Sequence, residues 1–140
     1  MPALDIKHHH AALSVPDLEA SIRWYRDVFG FELESRSFLP PVPADVAFLR
    51  RGPMRLELFQ PRHGLPLPPA RRIPDEDLKT HGHKHVAFAV RDTAAALAEI
   101  RRLGVEVVFE KRMEGKFSIA FLRDNAGNLI ELFEAPELWA

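Results

Sequence analysis

The sequence contains no cysteine among its 140 residues. This absence excludes a disulfide scaffold, a thiolate metal site and a thiol nucleophile. Charge of one sign is also lacking, because 19 Lys and Arg stand against 20 Asp and Glu and leave a net charge of −1. Nucleic acids and anionic membranes attract strongly basic surfaces, so we expect neither as a partner.

Long apolar runs are missing as well. No run approaches the length of about 20 residues that a bilayer-spanning helix needs. Residues 1–7 have no apolar stretch of the secretory-signal type. We therefore expect a cytoplasmic protein. At 46% hydrophobic residues, a chain of this length can bury a core without disulfides.

The chain instead contains one internal repeat. The stretch beginning at His10 reads HAALSVPDLEASIRWYRDVFGFEL, and the stretch beginning at His85 reads HVAFAVRDTAAALAEIRRLGVEVV. The two stretches align at an offset of 75, which becomes 74 after a single-residue gap. At that second offset RLELF lies over LIELF, so Glu57 lies over Glu131.

Each copy predicts the order βαβββ. Alternating, β-favouring residues predict the strands, a 3.6-residue apolar period predicts the helix, and Gly30 and Gly104 end the two helices. Asp17 is a suitable N-cap for the first helix. The first copy is predicted as a strand at 8–15, a helix from 17 to about 28, and strands at 31–38, 44–50 and 55–60. The second is predicted as a strand at 83–90, a helix at 93–103, and strands at 105–110, 117–123 and 128–134.

The fold class is therefore α+β, with two βαβββ modules around a cleft. We expect a single domain over residues 1–140, made of a module at 8–60, a proline-rich linker at 61–81 and a module at 82–135. Proline removes ladder donors, so the linker is predicted to be a surface loop. It serves either as a lid over a site or as a plain connector. Its Arg71 and Arg72 either grip a substrate carboxylate or phosphate, or are solvated.

Two histidines and two glutamates occupy matching places in the repeat. Neutral His and ionised Glu supply the lone pairs that divalent metals bind. Each Glu lies mid-strand among apolar residues, where an unpaired carboxylate is costly to bury. A lone strand His or Glu usually faces water, but here the His-to-Glu separation recurs, at 47 residues in the first copy and 46 in the second. This duplication favours a metal centre made of His10, Glu57, His85 and Glu131.

The pattern resembles the vicinal oxygen chelate superfamily, whose members include glyoxalase I, methylmalonyl-CoA epimerase, bleomycin resistance proteins and extradiol dioxygenases. The matching words are HAALSVPDLEASIRWYRDVFGFEL, HVAFAV and FLRDNAGNLIELFE, and the match covers nearly the whole chain except the linker and the last few residues. The resemblance implies a glyoxalase/bleomycin resistance/dioxygenase-like fold. It also implies that each module supplies one His and one Glu to the metal. All four of these residues are present in this sequence.

The resemblance to the glyoxalase- and epimerase-like members implies a metal-dependent lyase or isomerase. Its substrate would be a small molecule that chelates one divalent ion (Ni, Co, Zn, Mn or Fe) through adjacent oxygens and loses a proton next to a carbonyl. Glu131 is the favoured base, with Glu57 as its partner on the other face. Two alternatives stay open: an Fe(II)-dependent extradiol-type dioxygenase, and a metal-free small-molecule binding or resistance protein.

Two further expectations concern the surroundings of the site. His8 and His83 precede the two metal histidines by two residues, so they are either bases or substrate contacts beside the site, or surface histidines. A half-barrel module leaves open sheet edges, which neighbouring molecules normally cover. Together with the resemblance, this predicts a homodimer.

Overall fold

The computed structural model describes residues 3–113 and 117–140. The chain divides into two compact units, Met1–Gly64 and Leu65–Ala140, called unit 1 and unit 2 below. Each unit contains one four-stranded sheet and one long helix in the order βαβββ. The predicted α+β fold of two such modules is therefore confirmed.

The two units contain corresponding elements. In unit 1 these are β1 (Ala11–Ser14), α1 (Leu18–Phe29), β2 (Glu32–Leu39), β3 (Ala44–Arg51) and β4 (Met54–Pro61). Unit 2 begins with a 3-10 turn (Pro69–Arg72) and a short helix α2 (Pro74–Leu78). It continues with β5 (Val86–Val90), α3 (Thr93–Arg102), β6 (Val107–Met113), β7 (Phe117–Arg123), β8 (Leu129–Glu134) and a 3-10 turn (Pro136–Trp139).

Both sheets have the same topology. The strand order is β1-β4-β3-β2 in unit 1 and β5-β8-β7-β6 in unit 2. In each sheet the first strand is parallel to the last, and the other pairs are antiparallel. Even the irregularities match, because the register shifts between Leu33 and Ser35 in unit 1 and between Val107 and Phe109 in unit 2. The sequence repeat therefore corresponds to a repeat of backbone geometry.

The first helix follows from local sequence chemistry. The Asp17 side chain accepts a hydrogen bond from the Ala20 N–H at 3.1 Å and caps the helix. Gly30 ends it in the left-handed conformation, with φ 69°, which an L side chain rarely adopts. Tyr25 is fully buried on the apolar face of the helix and forms part of the core of unit 1.

One hydrogen bond in each unit ties the helix to the strand that carries the glutamate. Gln60 Oε1 accepts from the Leu18 N–H at 2.6 Å, and Glu134 Oε1 accepts from the Thr93 N–H at 2.9 Å. Gln60 and Glu134 lie three residues after Glu57 and Glu131, respectively. Because successive strand residues point to opposite faces, anchoring one face to the helix directs each glutamate to the other.

Several predictions were wrong in detail. The strand predicted at 105–110 lies at Val107–Met113. The first strand of each copy was predicted to begin at His8 and His83, but the strands begin at Ala11 and Val86. Parallel pairing with β4 and β8 starts only at those residues, so the preceding histidines lie outside the ladder. The linker was predicted to be a surface loop throughout, yet it contains the 3-10 turn and α2, whose Asp77 is buried.

Within the described parts of the chain, none of the helices combines the length and the apolar character required to cross a membrane.

Candidate metal centre

The structure places the four predicted ligands as two His–Glu pairs, one in each unit. In unit 1, His10 Nε2 lies 3.2 Å from Glu57 Oε1. In unit 2, His85 Nε2 lies 3.3 Å from Glu131 Oε2. Residues 47 and 46 positions apart in sequence thus meet in space in the same way twice.

Strand pairing explains how each pair forms. The histidine lies one residue before β1 or β5, and the glutamate lies mid-strand in β4 or β8, the parallel neighbour. Glu57 is in register with Ala12, two residues after His10, and Glu131 is in register with Ala87, two residues after His85. Since residues two apart share a strand face, each histidine and its glutamate lie on the same side of the sheet.

A phenylalanine completes each pair. The His10 and Phe48 rings meet edge to face at 5.0 Å, and the His85 and Phe121 rings do so at 4.9 Å. Phe48 pairs across β3 and β4 with Glu57, and Phe121 pairs across β7 and β8 with Glu131. The sequence analysis did not assign either phenylalanine to the site. Their alignment with each other at an offset of 73, close to that of the ligands, was the available signal.

The carboxylates are more enclosed than the imidazoles. The side chains of Glu57 and Glu131 are 18% and 16% exposed, against 31% and 26% for His10 and His85. Each carboxylate is therefore held among apolar strand residues and partly shielded from water, while each imidazole lies nearer the solvent. Partial shielding of this kind strengthens the attraction between a carboxylate and a cation.

The donor set and the spacing both fit a divalent ion. Two ligands bound at about 2.1 Å and about 90° apart lie about 3.0 Å from each other. The observed separations of 3.2 and 3.3 Å are close to this value. Within either unit, and over residues 3–113 and 117–140, no third His, Cys, Asp or Glu joins the pair to form a larger ligand group.

The ring of His10 contacts the ring of the preceding histidine. His9 Nδ1 lies 2.7 Å from His10 Nδ1, so one ring donates a hydrogen bond and the other accepts it. That contact occupies Nδ1 of His10 and leaves its Nε2 facing Glu57. A partner on the second ring nitrogen fixes the orientation of a metal-binding imidazole.

The remaining sequence candidates lie elsewhere. His8 and His83 are exposed, as expected for surface histidines. Arg71 lies with its Nε 2.7 Å from the buried Asp77 carboxylate, so its carboxylate partner belongs to the chain itself. The Arg72 side chain lies against Gly127, where a Cβ atom would come within 2.9 Å of Arg72 Nε.

Two βαβββ units with a repeated His–Glu pair define a class of paired-module proteins. The family model for the Glyoxalase/Bleomycin resistance protein/Dioxygenase superfamily matches residues 7–132. The chain belongs to this superfamily, and the resemblance drawn from its sequence is confirmed.

Curated relatives with established names include two kinds of enzyme. Lactoylglutathione lyase of Salmonella typhimurium is 32% identical over 130 residues, which cover 91% of this chain and 92% of that protein. Mitochondrial methylmalonyl-CoA epimerase of Mus musculus is 29% identical over 131 residues, covering 91% of this chain and 72% of that protein. These two relatives are thus a lyase and an epimerase by name.

Solved structures share the fold. A glyoxalase family protein from Enterococcus faecalis matches with a TM-score of 0.76 at 22% identity, covering 91% of this chain and 97% of that chain. Lactoylglutathione lyase from Agrobacterium tumefaciens matches with a TM-score of 0.62 at 25% identity, covering 100% of this chain and 99% of that chain.

Proposed function

We propose that this protein is a divalent-metal-dependent lyase or isomerase that removes a proton next to a carbonyl group of a small substrate with adjacent oxygens. The observation that carries the proposal is the duplicated pair, His10 with Glu57 and His85 with Glu131, at nearly the same separation in both units. One shared role explains the same pair at equivalent positions of the repeat more simply than two unrelated ion pairs do. The similarity to lyases and epimerases supports the same reaction class.

The proposed ligands of one divalent ion are His10, Glu57, His85 and Glu131. A bound ion of this kind would polarise a carbonyl oxygen of the substrate and favour loss of the neighbouring proton. The same separations also suit a His–Glu ion pair without a metal, so the metal is inferred from two other observations. The duplication and the absence of any Lys or Arg partner of the two glutamates among the described ion pairs support the metal.

Within this proposal Glu131 accepts the proton, and Glu57 serves the opposite face of the substrate. Both carboxylates are partly shielded, and both lie mid-strand on rigid sheet positions, which suits a general base. Phe48 and Phe121, packed against the imidazoles, restrict water on the sheet face that holds each carboxylate. The choice of Glu131 as the first base to test rests on the family resemblance.

The relatives suggest which substrates to try first. Methylmalonyl-CoA and lactoylglutathione, which occur in the names of the relatives, are both thioesters with a hydrogen on the carbon next to the carbonyl. We propose a substrate of this class, an acyl group with a second oxygen close to the carbonyl. Exchange of that hydrogen with solvent reports proton removal directly, whether the overall reaction is a lyase or an epimerase reaction.

The test is an exchange assay in deuterated buffer with each of the two thioesters. Wild-type protein loaded with a divalent ion should incorporate deuterium at the α-carbon of at least one, and a chelator should abolish the incorporation. Oxygen uptake without exchange would favour the dioxygenase alternative instead. Tight thioester binding by metal-free protein, without exchange, would favour the binding-protein alternative.

We also propose that the protein is a homodimer. The edge strand β2 is exposed along its whole length and includes the apolar side chains of Leu33, Phe38 and Leu39. An open edge with apolar side chains is normally covered by a neighbour. Light scattering at micromolar concentration should give twice the chain mass of 15.9 kDa, and a monomer would contradict the proposal.

A further inference from the structure

A buried carboxylate lies in the segment that leads to His85. Asp77, in α2, is 2% exposed, although it belongs to the acidic run Asp75, Glu76 and Asp77. Arg71 Nε lies 2.7 Å from Asp77 Oδ1, and Lys84 Nζ lies 3.5 Å from the same atom. Nothing in the proposed reaction uses this carboxylate.

Both cations that face Asp77 also hold the backbone near His85. Lys84 Nζ donates a hydrogen bond to the Asp77 carbonyl oxygen at 2.6 Å and another to the Thr80 carbonyl oxygen. Arg71 Nη2 donates to the His83 carbonyl oxygen at 3.4 Å. The two residues immediately before His85 are therefore tied to a cluster centred on one carboxylate, which we call the Asp77 clip (Arg71, Asp77 and Lys84).

The charge of Asp77, rather than a single directed bond, holds the clip together. Arg71 Nε and Asp77 Oδ1 are close, but their contact is not aligned as a hydrogen bond, and within the described residues neither atom has a hydrogen-bond partner. A buried carboxylate is stable only beside compensating positive charge. Without that negative charge, Arg71 and Lys84 would no longer be attracted electrostatically to α2.

His85 needs such support because the sheet does not supply it. The ladder between β5 and β8 begins at Val86 and Ile130, one residue after His85. We infer that Asp77 is a positioning residue for His85, and that it fixes the segment 83–85 so that the imidazole meets Glu131. This inference rests on the proposed function, in which His85 is a ligand.

The first test uses metal-free protein and the ring signals of its histidines in NMR spectra. Asp77→Asn keeps the shape of the side chain and removes its charge. It should shift or broaden the His85 ring signals, assigned by their loss in His85→Ala, and leave the His10 signals unchanged. Glu76→Gln is the matched control, because it makes the same chemical change at an exposed neighbour on α2, and it should move neither set. Unchanged His85 signals in Asp77→Asn would overturn the inference.

A second variant covers the case in which Asp77→Asn does not fold, which would show as loss of the His10 signals as well. Lys84→Met keeps the aliphatic stem and removes the charge that joins α2 to residue 84. It should change the His85 signals in the same direction. Intact His85 signals in a folded Lys84→Met protein would overturn the inference.

Measuring metal affinity distinguishes a failure of this inference from a failure of the proposed function. Loss of a residue that orients a ligand typically weakens metal binding about 10–100-fold. Calorimetric titration with Ni²⁺ should show such a loss for Asp77→Asn and none for Glu76→Gln. If wild-type protein binds no metal, the proposed function fails, while the histidine signals still decide the role of Asp77. If wild-type and Asp77→Asn bind Ni²⁺ equally well, the inference alone fails.

Discussion

Unit 1 and unit 2 share their strand order, their register shift and their His–Glu–Phe cluster, but they hold their histidines by different means. Before His10, residues 3–9 are exposed, and none of these described residues forms an ion pair. His10 is contacted instead by the ring of its neighbour His9. Before His85, the Asp77 clip fixes the backbone. The duplicated strands thus retain the geometry of the His–Glu pair, while the non-duplicated linker contacts the histidine segment in unit 2 only.

Two proposed ligands in equivalent positions therefore need not contribute equally to metal binding. A ligand on a fixed segment loses less conformational entropy when it binds an ion than a ligand on an exposed one. We therefore expect the unit 2 pair to contribute more to metal affinity than the unit 1 pair. The first three pairs of variants below change equivalent residues of both units, and the last pair changes unit 1 only.

The largest effect is expected at the proposed base. Glu131→Gln should reduce solvent exchange of the substrate proton by about 10²–10⁴-fold, because the amide cannot accept a proton. Part of the bound metal should remain. Glu57→Gln is the matched change in unit 1 and should reduce exchange less for a substrate whose proton lies on the Glu131 side. Full exchange by Glu131→Gln would transfer the role of base to Glu57.

Replacement of one buried leucine in the core of either unit should have a large effect on stability. Leu49 and Leu122 are fully buried in β3 and β7, at an offset of 73. Replacing either with Ala should lower the free energy of unfolding by about 2–5 kcal/mol, through lost burial and a residual cavity. Urea denaturation measures both. A cost below about 1 kcal/mol in only one unit would show that the two cores are not packed equivalently.

Loss of the two proposed histidine ligands should weaken metal binding to different extents, because their segments are supported differently. His85→Ala and His10→Ala should each weaken Ni²⁺ binding by roughly 10-fold or more, with the larger loss for His85→Ala. Calorimetric titration of both variants gives the ratio. An equal loss would mean that the Asp77 clip adds nothing to affinity, and a larger loss for His10→Ala would reverse the comparison.

The smallest effect is expected at the surface. Arg36 on β2 pairs with Glu19 on α1. The hydrogen bond from Arg36 is the main cause that lowers the pKa of Glu19 from 4.5; desolvation opposes it, and the charges of Arg36 and Arg23 reinforce it. A lowered folded pKa gives stability above the unfolded pKa, which is lost as pH falls through the folded pKa.

Glu19→Gln should therefore lower the melting temperature slightly at neutral pH and leave it unchanged in strong acid. Exposed pairs contribute little, so the difference should be close to the measurement error. Glu32→Gln, on the same edge strand as Arg36, is the control, because it removes one carboxylate that forms no ion pair among the described residues. Destabilisation by Glu19→Gln that persists in strong acid would exclude the ion pair as its cause.

Most of the fold could be predicted from the sequence because both copies carry the same periodic signals. The helix that Asp17 caps and Gly30 ends formed as expected. The start of the first strand could not be predicted. The β-favouring pattern already begins at His8, but pairing with β4 begins only at Ala11. Pairing length depends on the neighbouring strand, which local sequence does not reveal.

The pairing of each histidine with its glutamate could also be anticipated, since both lie at fixed positions of a repeat. Asp77 could not be identified in this way. In sequence it is one carboxylate of an acidic run, and its burial beside Arg71 and Lys84 is visible only in the folded structure. The linker has no counterpart in the other copy, so the repeat gives no second example to compare.

The metal content of the protein decides whether the two proposed His–Glu pairs hold one divalent ion. It is measured by elemental analysis of wild-type protein, purified with and without oxygen and after loading with Ni²⁺, Co²⁺, Zn²⁺, Mn²⁺ or Fe²⁺. We expect one tightly bound ion per chain with at least one of these metals, and a clear loss in the double variant His10→Ala, His85→Ala. A wild-type protein that retains no ion under any of these conditions would contradict this expectation.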